Sequence, residues 1–94
     1  MTRLDVYLKN TGLIKQRSAA RAACDAGRVR VDGQAAKASS PVQAGTRIDL
    51  ELMDRSLAVE VLTVPAHPVA RQRRRGCYRL LHEERRDPYA DLEF

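Results

Sequence analysis

Eight basic side chains crowd the first 37 residues: Arg3, Lys9, Lys15, Arg17, Arg21, Arg28, Arg30 and Lys37. Arg17, Arg21 and Arg28 recur at intervals of four and seven, which sets them along one face of a helix and at its exit. Between residues 13 and 39 the only carboxylates are Asp25 and Asp32, so the arginines have little to pair with locally. A compact positive surface of this kind suits phosphates, because each cation that neutralises one releases condensed counterions. The competing reading of any charge run is a solvated, salt-bridged face.

Residue types that would carry other chemistry are scattered. His67 and His82 have no Cys or carboxylate at metal-ligand spacing. Glu83 and Glu84 are adjacent and would point in different directions on a helix, a poor acid–base couple. No serine sits in a nucleophile elbow and no Walker-type phosphate loop occurs. Cys24 falls on the apolar side of its helix, as a packing residue rather than a nucleophile. No catalytic residue, metal or cofactor is therefore expected.

The basic residues need elements to hold them. Leu4, Tyr7 and Leu8 form the inner face of a first helix, with Asp5 as its cap and Asn10-Thr11-Gly12 as its end. Leu13 and Ile14 plug the core before a second helix, which Ser18 caps and four alanines favour. Gly27 suits the left-handed position that closes that helix. Val29 and Val31 then alternate with Arg28 and Arg30, and Asp32-Gly33 supplies a two-residue hairpin turn. Arg47–Leu52 alternates as a half-buried strand, Asp54-Arg55-Ser56 turns, and Leu57–Val64 reads as the next strand. Leu57, Val59 and Val61 are one candidate inward set, with Leu62 and Val64 in the other phase.

The expected class is α+β: two N-terminal helices on a small, curved, mostly antiparallel sheet, followed by a short C-terminal helix. Residues 1–64 form the domain, 65–76 a basic linker, and 77–94 the C-terminal helix and tail. Within the linker, Arg71, Arg73, Arg74 and Arg75 read either as a mobile solvated loop or as a secondary arm that orders on RNA. Cys77–Arg86 is read as the helix, with Tyr78, Leu80 and Leu81 packing back, and residues 89–94 are expected to fray.

Composition agrees with a small basic binder. The chain has 94 residues, with 17 Lys plus Arg against 12 Asp plus Glu. Residues 1–47 hold nine basic against three acidic side chains, a net of +6, whereas residues 48–66 hold one against four, a net of −3. An anionic partner is implied. The opening residues are charged and no apolar stretch approaches a membrane span, so neither a secretory leader nor a membrane partner is expected. Two cysteines without CxxC spacing fit two free thiols in a reducing cytoplasm, and a monomer is expected, since nothing requires dimerisation through a strand edge. With so few aromatics, contact with phosphates and the shape of folded RNA is favoured over base stacking.

RLDVYL at 3–8 and GLIKQRSAARAACDAGRVRVDGQAAKASSPVQAGTRIDL at 12–50 together resemble the S-four-type RNA-binding domain, or alpha-L motif. The resemblance is greatest to its short stand-alone members, the bacterial heat-shock RNA-binding proteins and the ribosome-associated quality-control group RqcP. CYRLLHEE at 77–84 is similar to the tail of that group. Thr46 stands where the family usually has an acidic residue. The resemblance implies a non-catalytic protein that binds large-subunit ribosomal RNA and tRNA on the ribosome. It would hold peptidyl-tRNA on stalled subunits, with Arg3 and Arg17 among the contacts. Generic binding in ribosome assembly or heat shock is one alternative. Another is a protein adaptor using the acidic segment 48–66 and the C-terminal helix.

Overall fold

The computed structural model describes residues 2–85. Helix α1 spans Leu4–Asn10 and helix α2 spans Arg17–Asp25. Leu4, Tyr7 and Leu8, spaced three and four apart, put one face of α1 wholly inside the core. Burying a side chain of that size contributes roughly 1.5–3 kcal/mol. The Tyr7 hydroxyl donates to the Cys77 carbonyl at 2.8 Å, so the polar tip of this core residue is satisfied. Leu13 and Ile14 are buried between the helices, in their expected role.

Both helices begin differently from the reading of their caps. Ser18 lies inside α2, Gln16 occupies the cap position, and no side chain caps the helix. Arg3 takes the cap position of α1, and Asp5 sits in the first turn. Asp5 is instead engaged by Arg3, the residue before α1, and across the chain by Arg17, the first residue of α2. The end of α2 follows its sequence. Gly27 has φ +73°, and Arg28 and Gly27 donate to the carbonyls of Ala23 and Cys24 at 2.9 and 3.0 Å, a Schellman closure.

Strand β1 (Thr2–Arg3) pairs with β4 (Pro41–Val42) beside α1. The main sheet has the order β3-β2-β5-β6-β7 and is antiparallel throughout, with β2 at Val29–Val31, β3 at Gln34–Ala35, β5 at Arg47–Glu51 and β6 at Arg55–Val61. Asp32 and Gly33 have φ of 51° and 85°, the paired positive values of a type I′ hairpin turn. Val29, Ile48, Leu50, Leu57, Val59 and Val61 meet the helices in one core.

The C-terminal helix is replaced by a strand. Residues Tyr78–Arg85 form β7, antiparallel to β6, while residues 86–94 of the expected helix and tail lie outside the described residues. The free edge of β6 needs backbone partners, and β7 supplies them. Leu80 and Leu81 do not pack back: they are 50% and 42% exposed. The pairing slips once. Val59 faces Leu80 and Ala58 faces His82, so Leu81 is the extra residue of a β-bulge. The basic linker is also structured. Arg71–Gly76 is a 3-10 helix, and Val69 just before it donates to the Asn10 carbonyl at the end of α1.

Candidate nucleic-acid interface

Asp5 is the hinge of the positive surface. Its carboxylate has no exposed surface and accepts four hydrogen bonds. Two come from Arg3, at 3.2 and 3.3 Å, one from Arg17 Nε at 3.1 Å, and one from the Val6 backbone N–H at 2.9 Å. Burial alone pushes the carboxyl up. The hydrogen bonds of Arg17 and Val6 and the charges of Arg17 and Arg3 outweigh it and hold Asp5 below the usual carboxylate range. One buried anion thus ties the starts of α1 and α2 together and fixes two guanidiniums.

Those guanidiniums keep donors to spare. Each carries five N–H bonds; Arg3 gives two to Asp5 and Arg17 gives one. Both side chains remain about half exposed. The local accounting of charge therefore changes. Arg17 has a carboxylate partner after all, one that lies outside the 13–39 stretch.

The other basic residues fall into two groups. Arg21 lies one turn along α2, Arg28 at its exit and Arg30 on β2, and all three are exposed. Lys15 lies in the loop before α2, and Lys37 follows β3 with its backbone N–H bonded to Ser40 Oγ at 2.9 Å. Among the described residues none of these five side chains has an ion pair, although Arg30 sits directly opposite Asp49 in the sheet. Lys9 stands apart in the last turn of α1. The 3-10 helix docks at that same end, with Arg71, Arg73 and Arg75 exposed. Arg74 is half-buried: its guanidinium lies against Gly12, whose φ is +75°, and its Nε reaches the Val69 carbonyl at 3.5 Å. That packing makes Arg74 a clasp between the 3-10 helix and the end of α1.

The acidic segment 48–66 is divided: Glu51 and Asp54 are exposed, whereas Asp49 and Glu60 sit among cations. Asp49 bonds Arg47 at 3.3 Å, and Glu60 stands between Arg47 and Arg79 on the neighbouring strands. Among the described residues no group of three or more His, Cys, Asp or Glu side chains gathers as a metal would need. Cys24 and Cys77 are both buried, and burial pushes the Cys24 thiol up, away from the reactive thiolate. No helix among the described residues is long and apolar enough to cross a membrane. Sequence reasoning missed Asp5 as the tether and Arg55, Arg79 and Arg85 as surface cations. The Arg-x-Asp spacing at 3–5 was the available signal for the first; the reading of 54–56 as a turn hid Arg55, and the reading of 77–86 as a helix hid Arg79 and Arg85.

The S4 domain family matches residues 2–48. The chain is 31% identical over 83 residues to an RQC P-site tRNA stabilizing factor of Streptococcus pneumoniae, covering 88% of this chain and 93% of that one. It is 39% identical over 59 residues to the protein of that name from Bacillus subtilis, covering 63% and 69%. Heat Shock Protein 15 of Vibrio cholerae, solved as a trimer, superposes with a TM-score of 0.78 at 29% identity, covering 84% of this chain and 80% of that one.

Proposed function

The chain belongs to the S4 domain family, among the relatives of the RQC P-site tRNA stabilizing factors, and from that premise we propose that it binds RNA in ribosome-associated quality control. It recognises structured ribosomal RNA and tRNA on the large subunit and stabilises peptidyl-tRNA on stalled subunits. It performs no chemistry. Its effect is differential binding: one position of the tRNA is favoured because the protein binds that state more tightly.

The observation that carries this reading is the surface built on Asp5. Arg3 and Arg17 are held by one buried carboxylate, with unused donors, beside Arg21 and Arg28, which have no ion pair among the described residues. Holding the guanidiniums in place lowers the ordering cost of meeting a phosphate, and their planar forks match phosphate oxygens bidentately. Lys15, Arg30 and Lys37 extend the surface, and Lys9, Arg71, Arg73 and Arg75 form a second basic zone at the far end of α1. Of the carboxylates an adaptor would offer in segment 48–66, Asp49 bonds Arg47 and Glu60 lies between Arg47 and Arg79, which leaves Glu51 and Asp54 as the exposed ones.

Gradient fractionation of lysates after induced translational stalling tests the proposal. The protein is expected to travel with large subunits that carry peptidyl-tRNA. Its recovery only in the unbound fraction would contradict the tRNA-stabilising role.

A further inference from the structure

The β6–β7 ribbon borders a groove of about 610 Å³ beside the turn that ends α1. Gly12 and Leu13 border it, and Leu57, Leu62, Tyr78 and Leu80 give it an apolar floor. Arg55, Arg75, Arg79 and Arg85 line it against one carboxylate, Glu83.

The register explains how the cations arrive there. Directly opposed residues share a face of the sheet. Val61 faces Tyr78, Val59 faces Leu80, Leu57 faces Glu83 and Arg55 faces Arg85, so all four residues of β7 lie on the face that holds the core. Strict alternation from Tyr78 and Leu80 would instead bring His82 and Glu84 to this side. The extra residue at Leu81 shifts the phase and aims Arg85 inward, as bulges do beside functional surfaces.

The groove also holds an unmet donor. Among the described residues Arg55 Nε is buried without a hydrogen-bond partner, and the Nη1 of the same residue reaches Glu83 only at 3.5 Å. Buried donors are nearly always satisfied, so an orphan among further arginines points to an anionic group from outside. Leu80 and Leu62, 50% and 42% exposed, add an apolar surface that a simple anion would not use.

We propose that this groove binds one unstacked nucleotide of single-stranded RNA. Its phosphate meets Arg55, Arg75 and Arg85, and its base lies on Tyr78 and Leu80. Guanidiniums suit phosphate oxygens, bases rest on aromatic and apolar surfaces, and the volume falls in the range of small-ligand sites. The inference rests on the reading of the chain as an RNA binder. It adds a site that shares no residue with the surface at Arg3, Arg17, Arg21 and Arg28, and only Arg75 with the second basic zone.

The test is titration of the full chain with pentauridylate, followed by amide NMR shifts and by anisotropy of a fluorescent pentauridylate. Shifts at Gly12–Leu13, Arg55–Leu57 and Tyr78–Arg85 are expected. The double variant Arg75→Glu, Arg85→Glu should weaken binding about tenfold or more, because lost phosphate contacts forfeit counterion release. Leu80→Ser, which leaves every charge in place, should weaken it about fivefold through the lost base contact. Arg21→Glu should change pentauridylate binding less than twofold while weakening a structured large-subunit RNA fragment. Shifts confined to residues 17–37, or tighter binding of hexaglutamate than pentauridylate in the groove, would overturn the inference. If the structured fragment binds and pentauridylate does not, the groove is refuted and the proposed function stands. If neither RNA binds, both fail.

Discussion

Replacing Arg17 by Glu should destabilise the protein, although the side chain is 51% exposed. Two effects add. The variant removes a hydrogen bond to a buried carboxylate, worth about 1.5–3 kcal/mol when one partner is charged. It also brings a second carboxylate near Asp5, which at about 5 Å and an effective dielectric constant of about 20 costs at most about 3 kcal/mol. Rotation of the new side chain into solvent relieves much of the second effect, and Arg3 still answers Asp5. The net loss is about 2–4 kcal/mol, a large share of the roughly 5–15 kcal/mol that holds a domain folded. Urea denaturation at pH 7 measures it, with Arg21→Glu as the matched charge reversal, expected within about 0.5 kcal/mol of the parent. The pH dependence has a fixed sign. Asp5 is depressed in the folded state, so its contribution is full above about pH 5 and is lost as pH falls below the unfolded carboxylate value of about 3.9. The gap between parent and Arg17→Glu should therefore narrow as the pH falls below about 4. Equal stability of Arg17→Glu and Arg21→Glu at pH 7 would refute the tether. The same geometry makes Arg17→Glu a poor probe of RNA contact, since lost binding and lost structure would be confounded.

Other perturbations follow from single contacts. Tyr7→Phe removes the 2.8 Å hydrogen bond to the Cys77 carbonyl, which still accepts from the Leu62 and Thr63 N–H groups, and should cost about 0.5–1.5 kcal/mol by urea denaturation; an unchanged midpoint would mean that those two donors satisfy the carbonyl alone. Gly12→Ala forces a side chain into φ +75° and displaces the Arg74 guanidinium, for a loss of about 1–2 kcal/mol in the same assay. Binding of structured RNA should fall steeply with salt: about six phosphate contacts give a log–log slope near −5, and a slope near zero would remove the phosphate surface.

Local signals were legible in the sequence. The spacing of Leu4, Tyr7 and Leu8, the glycine that closes α2, and the positive-φ pair at Asp32-Gly33 each act within a few residues. The starts of the helices were not legible as caps: Asp5 is instead engaged by Arg3 and, across the chain, by Arg17. The strand Tyr78–Arg85 was hidden for a related reason. It forms to cover the edge of β6, and the bulge at Leu81 breaks the alternation that would have marked it. The positive surface was legible as a set of residues in Arg21, Arg28 and Arg30. The tether that orders Arg3 and Arg17, and the packing of Arg74 on Gly12, required the fold.

Cross-linking the tagged protein to RNA in stalled cells, and sequencing what is recovered, tests the proposed function most directly. The control is Arg21→Glu, Arg28→Glu, since neither side chain has an ion pair among the described residues. Cross-links to large-subunit ribosomal RNA together with tRNA, lost in the control, are the expected result. Cross-links confined to small-subunit or unrelated RNA, or equal recovery from the control, would contradict it.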